Sequence, residues 1–301
     1  MAPIEGRGRV LVTGMRGFTG MPLRHELERA GYSVIGTVLE DAGHGERTLD
    51  IASLEDCIAI VGDVAPDFVI HLAGISFVQH ANLSDFYRVN VVGTTNLLDA
   101  LARSNVPVNK IVLASSANVY GNIGGALIAE DRPAAPANHY ATSKMAMEKL
   151  AATWFERLPI VITRPFNYTG TGQSPSFLVP KIVSHFARGE RVIELGNTDV
   201  ERDFSDVRMV ANAYRRLMES DVHSKAFNIC TGVATSLKSV ISMMEDIAGY
   251  RIEVRVNPAF VRSNDIKQLT GDPRALIEAI GPLDIIPLSE TLEGMYKAMR
   301  Q

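Results

Sequence analysis

Tyr140 and Lys144 lie four residues apart, a spacing that puts both side chains on one face of a helix. The chain carries eight tyrosines and eight lysines. Composition alone would give about 0.2 Tyr-x-x-x-Lys pairs in a chain of this length, and this is the one pair present. An ammonium beside a phenol favours the phenolate, so the pairing predicts a Tyr140 pKa drawn down towards working pH. Such a phenol can give a proton to a carbonyl oxygen or take one from an alcohol. The apolar run Ile111-Val112-Leu113-Ala114 leads into Ser115-Ser116-Ala117-Asn118-Val119-Tyr120-Gly121. That places Ser116 at the carboxyl end of a strand, where its hydroxyl could bond the same reacting oxygen.

A second constellation suits an anion. The strand-like run at 9–13 passes directly into Thr13-Gly14-Met15-Arg16-Gly17-Phe18-Thr19-Gly20, and a helical pattern follows. Gly14, Gly17 and Gly20 permit a tight turn and let backbone N–H groups approach a pyrophosphate at the positive end of that helix. This predicts a dinucleotide site, with Phe18 in the same turn. NAD binders usually place an acid at the end of the second strand, whereas Val38 occupies that position here. Arg16 could meet a 2′-phosphate, although Glu40 and Asp41 lie close by to oppose it. The expectation is NADPH, with NADH as the alternative.

These residues need a scaffold. Short β-branched runs at 10–13, 34–38, 68–72, 111–115 and 160–163 alternate with helical spacing at 18–30, 53–62, 83–104 and 141–157. The pattern predicts an α/β fold: a doubly wound parallel sheet covered on both faces, with ligands beyond the carboxyl ends of its strands. Past Arg164-Pro165-Phe166-Asn167 the regularity fades. Helices are expected near 177–188, 206–219, 236–248, 272–280 and 288–299, with strand-like pieces at 191–195, 226–230 and 252–256. The division expected is a cofactor domain over 1–165 and, over 166–301, a smaller lobe that mainly selects the substrate and returns some segments to the sheet. Lys181, Arg202 and Arg262 are three spaced cations in that lobe, suited to a diphosphate.

Composition narrows the function classes. A length of 301 residues with 46% apolar content and a formal charge of −4 describes a soluble globular chain. Without a basic block, nucleic acid and anionic membrane are poor partners. No apolar run reaches the roughly 18–20 residues of a membrane span, and too few residues precede the first strand for a signal peptide. The two cysteines, Cys57 and Cys230, stand far apart without metal-ligand spacing, which suits a reducing, cytoplasmic setting and no metal site. The helices at 83–104 and 141–157 carry apolar residues on more than one side.

Taken together, the glycine turn, His71-Leu72-Ala73-Gly74, Asn90, Ser116 and Tyr140/Lys144 closely resemble the extended short-chain dehydrogenase/reductase family, in family order and over essentially the whole chain. The resemblance implies a Rossmann-type sheet, a Ser116, Tyr140, Lys144 catalytic triad, and a homodimer paired through the helices at 83–104 and 141–157. It also implies that Asp50 and Ile51 meet the adenine, that Ala73 and Gly74 line the cofactor, that Asn90 closes over it, and that Lys144 holds the nicotinamide ribose. Asn118 stands where dehydratases of the family carry a Glu and the enzyme making GDP-fucose carries a Cys. An amide cannot be a general acid at neutral pH, so simple reduction of a 4-keto group, or 4-epimerisation with tightly held NAD, remains. The runs Leu195-Gly196-Asn197 and Arg202-Asp203-Phe204 resemble those of the GDP-sugar branch. By that resemblance Asn118, Asn167, Lys181, Asn197, Arg202, Arg262 and Asp265 bind a sugar nucleotide. The implied reaction is conversion of GDP-4-keto-6-deoxy-D-mannose to GDP-D-rhamnose. A dTDP-linked ketoreductase and a non-catalytic dinucleotide sensor are the rivals.

Overall fold

A computed structural model of the chain describes residues 6–76, 80–122, 127–260 and 267–300. In chain order the first half runs β1 (Arg9–Thr13), α1 (Gly20–Arg29), β2 (Ser33–Val38), β3 (Glu46–Thr48), α2 (Leu54–Val64), β4 (Phe68–His71) and α3 (Leu83–Tyr87). A π-helical turn over Arg88–Gly93 then leads into α4 (Thr94–Arg103), β5 (Lys110–Ala114), α5 (His139–Ala151) and β6 (Ile160–Pro165). The second half contributes β7 (Asn167–Thr169), α6 (Leu178–Ala187), β8 (Val192–Leu195), β9 (Glu201–Asp206), α7 (Val207–Glu219), β10 (Lys225–Ile229) and β11 (Ala234–Ser236). It ends with α8 (Leu237–Ala248), β12 (Glu253–Val256), β13 (Gln268–Leu269), α9 (Arg274–Ile280) and α10 (Leu288–Met299).

Seven strands form one parallel sheet in the order β10-β6-β5-β4-β1-β2-β3. Its central strands β1, β4, β5 and β6 are buried on both faces, so they read as continuous apolar runs and not as alternating ones. Along β1, Val10 and Val12 enter a core with Leu23 and Leu27 of α1 and Met209 to Leu217 of α7. Leu11, pointing the other way, packs with Cys57 and Ile60 of α2, Leu97 and Leu101 of α4 and Met147 of α5. The chain winds outward from β1 through β2 and β3, then restarts at β4 and proceeds the other way. The crevice beyond the carboxyl ends of β1 and β4 is therefore the switch point where this architecture binds ligands.

Residues past 165 divide their work. α7 covers the large sheet and β10 extends it beside β6. A separate core forms where α6, α8 and α10 pack on one another and on the ribbon β8–β12, while β9 pairs with β7, β11 and β13. Five short strands were not expected from sequence: β3, β7, β9, β11 and β13. They are mostly polar and at most six residues long, so neither length nor periodicity announces them. The helix expected over 83–104 is three pieces, interrupted by the π turn. Among the described residues no helix is long and apolar enough to cross a membrane.

Candidate active site

The end of β5 and the first turns of α5 meet face to face. Asn138 caps α5 through its side chain, accepting the Ala141 N–H at 2.9 Å, which fixes Tyr140 in the first turn. The Ser116 hydroxyl faces the Tyr140 phenol and favours its ionised form, and both residues are buried. Ser116 Oγ also accepts the Asn118 N–H at 3.2 Å, capping the short 3₁₀ turn at Ala117–Tyr120. One helical turn on, Lys144 Nζ donates to the Ala114 carbonyl at 2.7 Å.

This geometry corrects one expectation. Lys144 does not draw the Tyr140 phenol down: its ammonium bonds a backbone carbonyl, and burial pushes Tyr140 up to about 12, against the lowering effect of the Ser116 hydroxyl. Burial instead brings Lys144 down to about 8, with the Glu148 carboxylate opposing. Tyr140 is thus a proton-holding acid in the protein by itself.

On the far side of Lys144 lies the carboxyl end of β4. A Cβ on Gly74 would stand 2.9 Å from Asn90 Oδ1 and 3.3 Å from Lys144 Nζ, so glycine leaves these groups close together. Asn90 sits on the π turn, a rare element that recurs at functional sites. Its side chain takes the Ile75 N–H at 2.9 Å, donates to the Ile75 carbonyl at 3.2 Å and donates to Ser143 Oγ at 3.0 Å. It therefore acts on the crevice through the backbone of Ile75. His71 is buried and bonded at both ring nitrogens, to Thr13 Oγ1 at 2.6 Å and Thr94 Oγ1 at 2.9 Å, and burial holds its pKa down to about 3.

The glycine turn fits a dinucleotide by its close approaches. Gly14 has φ +71°, and a Cβ there would come within 2.7 Å of the Ala73 nitrogen. On Gly20 a Cβ would strike the Met15 carbonyl, and on Gly17 it would lie 3.1 Å from the Gly14 carbonyl. No side chain caps α1, because the Thr19 hydroxyl is bonded to Tyr168 OH at 2.9 Å. Among the described residues, no side chain caps the positive end of α1 and no carboxylate stands in its first turn, where a pyrophosphate would lie. Phe18 stacks on Tyr168 with ring centroids 5.8 Å apart, tying the turn to β7. Asp50 is half-exposed and caps the Ala52 N–H, while Ile51 is buried against Gly93 of the π turn.

Arg16 is already engaged. It donates to the Asp41 carbonyl at 2.6 Å and pairs with Glu46 at 2.7 Å. Glu46 belongs to β3 and was not singled out from sequence. The Gly43 N–H and the Arg16 guanidinium hold its carboxyl below the usual range. Arg24 of α1 donates to the Gly45 carbonyl in the same loop.

The lobe residues touch their own surroundings. Lys181 donates to the Glu194 carbonyl at 2.8 Å and lies over the Phe260 ring, 4.5 Å from its centroid. Asn197 caps the Asp199 N–H, and Arg202 donates to the Glu201 carbonyl. Asn167 is exposed on β7. Arg262 and Asp265 lie outside the described residues. Among the described residues no cluster of His, Cys, Asp and Glu could hold a metal.

A sheet with a switch-point crevice, an uncapped glycine turn and a buried Ser/Tyr/Lys set define a nucleotide-dependent oxidoreductase or epimerase. The chain belongs to the NAD dependent epimerase/dehydratase family, which it matches over residues 10–230. It is 35% identical to a GDP-6-deoxy-D-talose 4-dehydrogenase of Aggregatibacter actinomycetemcomitans, with 96% of this chain and 97% of that protein covered. It is 32% identical to a GDP-6-deoxy-D-mannose reductase of Pseudomonas aeruginosa, with 95% of each covered. The solved structure of RMD from Pseudomonas aeruginosa complexed with NADPH superposes with a TM-score of 0.86 at 29% identity, covering 97% of both chains.

Proposed function

We propose that this chain uses NAD(P)H to reduce the 4-keto group of a nucleotide-activated 6-deoxyhexose, converting GDP-4-keto-6-deoxy-D-mannose to GDP-D-rhamnose. The observation that carries the reading is the buried Ser116 hydroxyl facing the Tyr140 phenol at the carboxyl end of β5, one turn from Lys144. Ser116 and Tyr140 would together receive the C4 oxygen, and the Tyr140 hydroxyl would hand it a proton as it gains negative charge. Lys144 and Gly74 would hold the ribose side of the dinucleotide, and Gly14, Gly17 and Gly20 its pyrophosphate. When bound, the reduced nicotinamide supplies the hydride. Asn118 offers no proton to a leaving hydroxyl, so dehydration is not part of the reading. Guanine is supported by the two GDP-sugar relatives.

A second reading concerns the product alone. Reducing one ketone gives either C4 epimer, and the relative named for GDP-6-deoxy-D-talose favours the opposite one. Incubating the enzyme with GDP-4-keto-6-deoxy-D-mannose and NADPH or NADH, then recording the proton NMR spectrum, separates the outcomes. A large H3–H4 coupling marks the rhamno product and a small one the talo product. No consumption of either coenzyme would overturn the reductase reading, and stoichiometric NAD surviving gel filtration would favour a 4-epimerase.

The assembly we propose is a homodimer through the α3–α4 run and α5, where Leu83, Val92 and Leu150 are exposed. A cytoplasmic location is supported by two buried, unpaired cysteines.

A further inference from the structure

Three consecutive residues at the end of β5 each hold one position of α5. The Ala114 carbonyl takes Lys144, the Ser116 hydroxyl faces the Tyr140 phenol, and the Ser115 hydroxyl donates to Glu148 Oε1 at 2.5 Å. Tyr140, Lys144 and Glu148 are spaced i, i+4, i+8 and so form one stripe along the helix. The reductase reading uses two of the three contacts and leaves the third unexplained.

That third bond anchors a buried ion pair. Arg164 of β6 grips both Glu148 oxygens, with Nη2 to Oε2 at 2.6 Å and Nε to Oε1 at 3.0 Å. It also donates to Tyr120 OH at 2.9 Å and to the Glu130 carbonyl at 3.1 Å. Tyr120 donates onward to Asn228 of β10 at 2.7 Å. Side-chain exposure is 13% for Arg164 and 8% for Glu148. A buried pair is a poor source of stability, because desolvation offsets its attraction. Its position, one helical turn behind Lys144, points to a different use.

We propose that Glu148, tethered by Ser115 and clamped by Arg164, is a positioning residue that keeps Lys144 an ammonium and holds the Tyr140–Lys144 stripe in register with the end of β5. Among the described residues, His71 from β4 also faces Lys144 and is uncharged at neutral pH, Tyr140 on the same helix keeps its proton, Asn90 and the Ala114 carbonyl are neutral, and the Arg164 guanidinium is taken up by the Glu148 carboxylate it clamps. Glu148 is therefore the one described anion acting on the buried ammonium, in the direction that retains its proton.

The inference rests on the reductase reading for its catalytic consequence, but its first test needs no substrate. With isotope-labelled lysine, the Lys144 side-chain resonance, assigned by its loss in K144R, is titrated in the free protein. In E148Q its midpoint should fall by about one pH unit, a tenfold change in proton affinity, and the alkaline limb of kcat should move with it. An unchanged midpoint would overturn the proposal. If E148Q does not fold, S115A leaves the Glu148–Arg164 pair in place. It should lower kcat about tenfold by misplacing Tyr140, with coenzyme KM little changed, and S115T should restore it. An S115A enzyme with wild-type kcat would overturn the tether. Failure of the wild-type protein to reduce any 4-keto sugar nucleotide would defeat the reductase reading and leave the Lys144 titration as a separate result.

Discussion

A phenol must still own its proton when a ketone arrives, and burial secures that for Tyr140 by holding its pKa near about 12. In the reductive direction this is the required form. Y140F keeps the ring packed beside Phe86 and removes only the proton donor. It should lower kcat by about 10²–10⁴-fold while NADPH binding, read by fluorescence titration, stays within a few-fold. Arg16 supplies a second prediction at this scale. Its guanidinium reaches Glu46 from the glycine turn, so a 2′-phosphate would have to displace a carboxylate. E46Q removes that competitor and should raise the kcat/KM ratio of NADPH over NADH by on the order of tenfold. An unchanged ratio would place coenzyme choice elsewhere.

At the scale of elements, the π turn between α3 and α4 carries Asn90. It brings Asn90 inward to bond both backbone groups of Ile75 and the Ser143 hydroxyl, joining the β4 crevice edge to α5. N90A would leave these buried groups unmatched at a cost of about 1–3 kcal/mol. A lower Tm with weakened coenzyme binding is the expected result in thermal denaturation and titration. Loss of stability with coenzyme affinity intact would mean that Asn90 only braces the helix. The same turn carries Gly93, where a Cβ would stand 2.7 Å from Ile51. Close packing there is what holds the segment after β3 against the helical layer.

For the molecule as a whole, acid is the revealing variable. His71 bonds Thr13 and Thr94 and takes up a proton only near about 3 in the folded protein, against 6.5 for a free histidine. Between those values the unfolded chain binds the extra proton, so stability from this group falls as pH drops from about 6.5 towards 3. H71N should be less stable than wild type at pH about 7, and the gap should narrow on acidification because the variant lacks that uptake. Chemical denaturation at several pH values measures it, and a gap independent of pH would contradict a neutral buried His71. Assembly is the other property at this scale. V92D combined with L150D places charge on the exposed apolar positions of the proposed pairing face and should convert a dimeric mass in solution to a monomeric one.

Much of the fold and part of the site are local in origin, and those parts were legible. The β-branched runs, the glycine turn and the Tyr140/Lys144 spacing depend on residues within a helical turn or two, so period and spacing expose them. The seven-stranded sheet is the expected doubly wound α/β fold. Other features depend on partners far apart in the chain. Ser115 meets Glu148 across 33 residues, Arg16 meets Glu46 across 30, and Tyr120 meets Asn228 across 108. No periodicity encodes such pairings. Glu148 shares the face of Tyr140 and Lys144, and that spacing was visible, but only packing against β5 and β6 gives its carboxylate partners. The same holds for the Tyr140 pKa. Sequence placed an ammonium four residues away and implied a lowered value; the tertiary structure turned that ammonium to a carbonyl and buried the phenol. Desolvation then decided the sign.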